Sequence, residues 1–445
     1  MSRDRFTAWP EEYATKLVDP SEAVRLVRPG DRVVVPIGSL APALCEALFA
    51  RRDELHDVEV VFCAPFVDPG WFEPGHPAFH TVVEIFNTAI ARQSMVEHRT
   101  DFISVPFSRR FKALDEPGRD PWDVDVALIS VSPPDRFGFC SYGLSMWNKA
   151  GYARRARVVL AEVFSGYPRT GGANQIHVSD IDAFVEGGDF TPRIPLAGRQ
   201  REVRMPVEIA AHVNELVRDG DTVQVGTGAT TAMLVHAGVF SGKEDLGVHS
   251  EITVGGMNAL VQQGVFTGAR KTLHKGKFVA TAIAATTPEE IEFVHENPVY
   301  EVYDVEYTND IGVIAANDNM VAINNAMNVD LLGQVASESI GAEMWSGPGG
   351  QLEFVIGSML SRGGRSITVL PAASRDGAIS RIVTQLPAGT VVTVPRQFTD
   401  YVVTEFGIAK LYGKSDRERA EELISVAHPD HRAELRRQAG KLVSS

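Results

Sequence analysis

The residue best placed for chemistry by its type and position is Glu251, at the end of the apolar stretch Leu246-Gly247-Val248-His249-Ser250-Glu251. A glutamate is ionised at neutral pH, with a reference pKa of about 4.3, so it needs no base to become a nucleophile. Its attack on a thioester gives a mixed anhydride, and the oxyanion formed on the way needs fixed N–H donors. Two glycine loops could supply them: Gly226-Thr227-Gly228 and Ser346-Gly347-Pro348-Gly349-Gly350-Gln351. The first follows the strand-like Thr222-Val223-Gln224-Val225 and precedes a helix-like run, 229–237. Strand, glycine loop and helix start together make an anion site. Two other readings stand beside this one. Gly226-x-Gly228-x-x-Thr231 comes close to a dinucleotide fingerprint, with Glu251 about 20 residues on as the ribose acid, though its third glycine is a threonine. The plainest reading of Glu251 is a solvated surface carboxylate.

Other chemistries find little support. The stretch Gly143-Leu144-Ser145-Met146-Trp147 lacks the second glycine of a nucleophile elbow, and no HExxH spacing occurs, so no metal is expected. Cys45, Cys63 and Cys140 form no CxxC pair and sit in apolar runs. A formal net charge of -14 over 445 residues argues against nucleic acid as a partner. No apolar run of about 18 residues points to a membrane span, and the first residues lack the apolar segment of a signal peptide. A cytoplasmic protein is expected.

The elements that must position Glu251 repeat. LVRPGDRVVVPIG at 26–38 and LVRDGDTVQVGTG at 216–228 match at 8 of 13 positions, without a gap, at an offset of 190. A single long offset implies two copies of one domain, not a solenoid of short repeats. We expect an α/β protein of two tandem, related, open α/β domains, 1–190 and 204–445, with a linker near 185–203 and the active site at their interface. Strands are expected at 58–62, 126–131, 158–163, 313–316, 320–323, 367–370 and 391–394, and an apolar run, 352–360, follows the second glycine loop. Phe62, Trp71, Phe72 and Ile37 form an apolar set that either surrounds an acyl chain or builds the first domain's core.

The motifs, taken together, resemble a known family. DLGVHSE, INNAMNVD, SGPGGQLEF and TEFGIAKLYGKS, preceded by VSPPDRFGFCSYG and PRTGGANQIHVSDID, are similar to the family I CoA-transferases, in the acetyl-CoA hydrolase/transferase branch. The resemblance covers nearly the whole chain and implies two related α/β halves. It implies that Glu251 is the catalytic nucleophile and forms a glutamyl-CoA thioester. Gly226, Thr227, Gly228, Ala229 and Thr230 would contact CoA, with Thr227 offering an oxyanion N–H. Gly347, Gly349 and Gly350 would line the thioester and supply the other donor. Asn309, Asn324, Asn325 and Ala326 would lie near CoA, and Glu405 and Gly38 near the substrate. Arg169 and His177 could touch substrate or be structural. The resemblance further implies acyl-CoA and a small carboxylic acid as substrates, no permanently bound cofactor, and a homodimer or dimer of dimers. Net acyl-CoA hydrolysis by the same glutamate, or a non-catalytic CoA- or sugar-phosphate-binding regulator on the same fold, would use the same scaffold.

Overall fold

The computed structural model describes residues 5–84, 88–116, 123–190 and 206–442. The chain divides into two compact units, one of Met1–Pro195 with Thr281–Tyr307, the other of Leu196–Ala280 with Thr308–Ser445. Each is built on the repeated turn. In the first, Gly30 takes φ +80° and the Asp31 carboxylate accepts the Arg28 N–H at 2.8 Å. In the second, Gly220 takes φ +79° and Asp221 accepts the Arg218 N–H at 2.6 Å. Left-handed backbone of this kind favours glycine, which explains why the glycine repeats. Each aspartate also pairs with an arginine that leads a later strand: Asp31 with Arg157, Asp221 with Arg365.

The strand that leaves each turn lies inside a sheet. In the first unit Arg32–Val35 runs parallel between Val126–Val131 and Val58–Phe62, with Val158–Ser165 and Ala183–Asp189 beyond on one side and Phe79–Glu84 and Thr100–Ile103 on the other. In the second, Thr222–Val225 runs parallel between Met320–Asn325 and Gly247–Ile252. Arg365–Val369 and Tyr401–Thr404 continue that sheet in parallel, and Gly407–Lys410 closes it antiparallel. The order around the central strand is the same in both, so the repeat is a duplicated α/β frame. In register, Cys63 of the first unit, just past the end of its strand, corresponds to Glu251, the last residue but one of its own, since Arg32 pairs Glu59 as Thr222 pairs Gly247.

Several expectations need correction. Residues 313–315 lie in the helix Ile311–Ala315 and Ala316 caps its end; Asp310 starts it, its side chain accepting the Val313 N–H at 3.0 Å. Residues 391–394 form no strand: Val391 and Val392 are exposed and Val394 makes one isolated bridge to Val335. The helix behind the first glycine loop is a single turn, Thr231–Leu234, with Gly238 at φ +86° beyond it, so it carries no useful macrodipole. Of the two readings of the apolar set, the core one describes Phe62, Trp71 and Phe72, with the Trp71 and Phe72 ring centroids 5.1 and 5.3 Å from that of Phe62. The expected linker begins inside the strand Ala183–Asp189, and 191–205 lies outside the described residues.

Residues 281–307 group with the first unit although they follow 85 residues of sequence opening the second half. The Met146 N–H donates to the Thr281 carbonyl at 3.0 Å, and the Gly151 N–H to the Asp304 carboxylate at 2.8 Å. Tyr300–Val302 pairs in parallel with Gly171–Gly172. All three cysteines are free and buried. Among the described residues no helix is long and apolar enough to cross a membrane, and no group of three His, Cys, Asp or Glu is placed to hold a metal.

Candidate active site

Glu251 lies at the C-terminal end of a parallel strand, Gly247–Ile252, where open α/β sheets gather their ligands. It is 8% exposed, which removes the solvated-surface reading. Alternation along the strand puts His249 on the same face as Glu251. The His249 Nε2–H donates to the Thr308 carbonyl at 2.9 Å, and burial drives its pKa down to about 3, so the ring is neutral.

The carboxylate has two donors. Asn309 Nδ2 donates to Glu251 Oε2 at 2.7 Å, and the Gly350 N–H donates to the same carboxylate. Asn309 is itself oriented, because the Thr308 hydroxyl donates to its Oδ1 at 3.1 Å and turns the NH2 toward the glutamate. Burial pushes the Glu251 pKa up to about 7; the Asn309 and Gly350 donors oppose that, and the Glu353 charge adds to it. Glu353, on the helix Gln351–Leu360, accepts from the same Asn309 Nδ2 at 3.1 Å.

The second glycine loop fits against this carboxylate with no room to spare. A Cβ on Gly350 would stand 2.0 Å from Asn309 Nδ2 and 2.3 Å from Glu251 Oε2. Gly349 has φ +52°, and Gly347 is buried. Gly347, Gly349 and Gly350 share one loop, and Gly350 is the one whose N–H reaches Glu251.

The first glycine loop is shaped by asparagines. The Gly226 N–H is taken by the Ile323 carbonyl at 2.8 Å, so it is not an oxyanion donor. The Gly228 carbonyl accepts from Ala232 N–H and from the Thr231 hydroxyl. A Cβ on Gly226 would lie 2.8 Å from Asn324 Oδ1, and one on Gly228 2.3 Å from Asn325 Cβ. Asn324 is locked to Gln224 by a reciprocal amide pair at 3.0 Å in each direction, so its amide supports the loop. Asn325 Oδ1 is buried without a partner in the structure. Thr227 and Gly228 are partly exposed, Ala229 is exposed and Thr230 is buried.

Other expected site residues stand elsewhere. Ala326 is 1% exposed in the second unit's core, its N–H held by the Val369 carbonyl at 3.1 Å. Glu405, in the turn between Tyr401–Thr404 and Gly407–Lys410, accepts the Ala372 N–H at 2.9 Å; the carboxylate beside Glu251 is Glu353. Gly38, at φ +72°, is a close-packing position, since a Cβ there would lie 2.3 Å from Ser145 Oγ. Arg169 donates to the Phe139 and Pro133 carbonyls, and His177 Nδ1 accepts the Ser179 N–H at 3.1 Å; both hold backbone in place. Sequence reasoning missed Glu353 and Gln224 as site residues. Glu353 had one signal, its place three residues after Gly350 in the SGPGGQLEF motif, which puts it in the first turn of the helix.

Residues 1–195 match the model of the acetyl-CoA hydrolase/transferase N-terminal domain, and 287–439 that of the C-terminal domain. The chain is 39% identical to the 4-hydroxybutyrate coenzyme A transferase of Clostridium kluyveri, over 96% of this chain and 98% of that protein. It is 38% identical to the succinyl-CoA:cyclohexane-1-carboxylate CoA transferase of Geobacter metallireducens, over 98% of this chain and 97% of that one. The crystal structure of RipA from Yersinia pestis superposes with a TM-score of 0.86 at 31% identity, covering 98% and 99% of the two chains.

Proposed function

The chain belongs to the acetyl-CoA hydrolase/transferase family, and on that premise we propose that it moves coenzyme A between an acyl-CoA and a free carboxylic acid by a ping-pong sequence through Glu251. The observation that carries this reading is a buried carboxylate at a strand end, held by Asn309 at 2.7 Å and by the Gly350 N–H.

A Glu251 oxygen attacks the acyl carbon, the C–S bond breaks, and CoA leaves as its thiolate. The thiolate then attacks Cδ of Glu251, the donor acid leaves as its carboxylate, and a glutamyl-CoA thioester remains. The acceptor carboxylate reverses both steps. Asn309 and the Gly350 N–H aim the nucleophile, and donors so fixed need no reorganisation when charge moves. The Thr227 N–H is the remaining donor we assign to the oxyanion, since Gly226 is occupied. Contacts to CoA far from the reacting carbon can supply binding energy that positions the thioester. We assign those contacts to the loop 227–230 and to Asn325, whose buried Oδ1 has no partner in the structure. No permanent cofactor enters these steps. We further propose a cytoplasmic homodimer or dimer of dimers, which the family resemblance and the three buried free cysteines support; light scattering after size exclusion checks the mass.

Intact-mass analysis of the protein mixed with acetyl-CoA or butyryl-CoA and no acceptor is the test. The mass of CoA less one water should appear on the peptide containing Glu251 and vanish in Glu251→Ala. An unmodified peptide, or an alanine variant with full transfer activity, removes the reading. Free thiol without a new thioester, when acids are supplied, would mean hydrolysis instead.

A further inference from the structure

We propose that Glu353 is a positioning residue of the transfer reaction: sharing the Asn309 amide with Glu251, its negative charge disfavours the free nucleophile relative to the covalent intermediates. The proposal rests on Glu251 being the nucleophile.

The geometry is a buried bridge. One amide NH2 donates to Glu251 Oε2 at 2.7 Å and to Glu353 Oε2 at 3.1 Å, with the two glutamates 8% and 4% exposed. The Thr308 hydroxyl fixes the far end of the amide, so neither carboxylate can be served by flipping it. The groups acting on the Glu251 charge are Asn309, Glu353 and the Gly350 N–H, none of them cationic. Of the other titratable groups nearby, His249 on the same strand is neutral and faces the Thr308 carbonyl. Lys271 Nζ donates to the Val248 and Lys277 carbonyls. Asp310 caps its own helix through Val313. Two like charges a few ångströms apart in a low-dielectric site repel strongly.

The reaction relieves that repulsion. When the Glu251 oxygen bonds the acyl carbon, its charge passes to the departing thiolate. When the thiolate bonds Cδ, the charge leaves with the donor carboxylate. Glu251 is neutral in both the anhydride and the thioester. A charge at residue 353 therefore opposes only the resting state, which favours reaching the adduct and holding it. Were Glu353 only a prop for Asn309, a glutamine there would serve equally, because it keeps the accepting oxygen and the size.

The experiment compares the full-length wild type with Glu353→Gln and Glu353→Asp. Two quantities are read: the acid limb of kcat/KM against pH, and the ratio of CoA-bound to free Glu251 by intact mass at a fixed acyl-CoA to acid ratio. The probe is acetyl-CoA with acetate or butyryl-CoA with butyrate, whichever pair the wild type turns over. For glutamine, the limb should move down by about one pH unit and the adduct ratio should fall about tenfold. Aspartate keeps the charge but withdraws it by one methylene, so it should shift both in the same direction and less. A glutamine variant with the wild-type limb and adduct ratio overturns the proposal. If glutamine does not fold, aspartate decides: a wild-type limb and ratio in that variant overturns it. Absence of adduct in the wild type is a separate result, and it rejects Glu251 as nucleophile, not the role of Glu353.

Discussion

Glu251 has to be ionised to attack, yet it sits where burial lifts its pKa to about 7. Transfer should therefore be slow in mild acid and rise as pH passes through about 7; a kcat/KM profile flat from pH 5.5 to 8 would contradict this. The same shift has a consequence for stability. The folded-state value lies above the ordinary 4.5, so the folded chain holds an extra proton between about 4.5 and about 7. Stability contributed by that proton is complete below the lower value and is lost as pH rises through the upper one. Glu251→Gln, which never ionises, should accordingly be more stable than wild type at pH 8 by about 1–3 kcal/mol, an order-of-magnitude figure. Thermal melts at pH 5 and pH 8 check it: the gain should be present at pH 8 and nearly absent at pH 5. At this scale Glu251 was legible in the sequence, because a carboxylate closing an apolar strand stands out. Of its partners, Asn309 and Gly350 were named through the family's motifs and Glu353 was missed, since Asn309 and Glu353 lie 58 and 102 residues away and reach it only through the fold.

The glycine loops act through backbone, and the two differ in what they demand. Gly350 faces Glu251 and Asn309 so closely that a methyl group must displace one of them. Gly350→Ala should keep the fold and lose about 100- to 1000-fold in kcat, the usual penalty for losing one aligned donor. Thr227→Val, which retains its N–H, should stay within a few-fold of wild type. Steady-state kinetics beside far-UV circular dichroism separates the cases, and an alanine at 350 with wild-type turnover would show that the loop does not constrain the carboxylate. The sequence showed that both loops were glycine-rich but not why. For Gly226 and Gly228 the reason is the approach of Asn324 and Asn325, which arrive on a strand about 100 residues later. The helix expected behind the first loop shrank to one turn, because Gly238 turns the chain just after it, and helical spacing alone could not reveal that.

Across the molecule, the repeat was the most readable feature, because an Arg-x-Gly-Asp turn leaves a short, local signature. Its two copies are not equally buried. Arg365 and Asp221 have side chains only 6% and 3% exposed, whereas Arg157 is 36% exposed. Asp221→Asn leaves a guanidinium buried without its charge partner and should cost about 3–5 kcal/mol. Asp31→Asn should cost about 1 kcal/mol or less through its ion pair. Denaturant melts of both variants test the contrast, and equal losses would mean that the two turns carry equal load. What the sequence concealed was the assignment of 281–307, whose helix Pro288–Val294 and strand Tyr300–Val302 read like any other α/β segment. That assignment has a consequence for synthesis. A ribosome working from the N-terminus releases 196–280, which belongs to the second unit, before the residues that finish the first. Until residue 304 emerges, Gly151 has no carboxylate to bond, and until Tyr300–Val302 emerges, Gly171–Gly172 has no strand to pair. The first unit thus cannot mature while it is being translated alone, and a messenger cut at codon 195 would yield an unfinished body, not half of an enzyme.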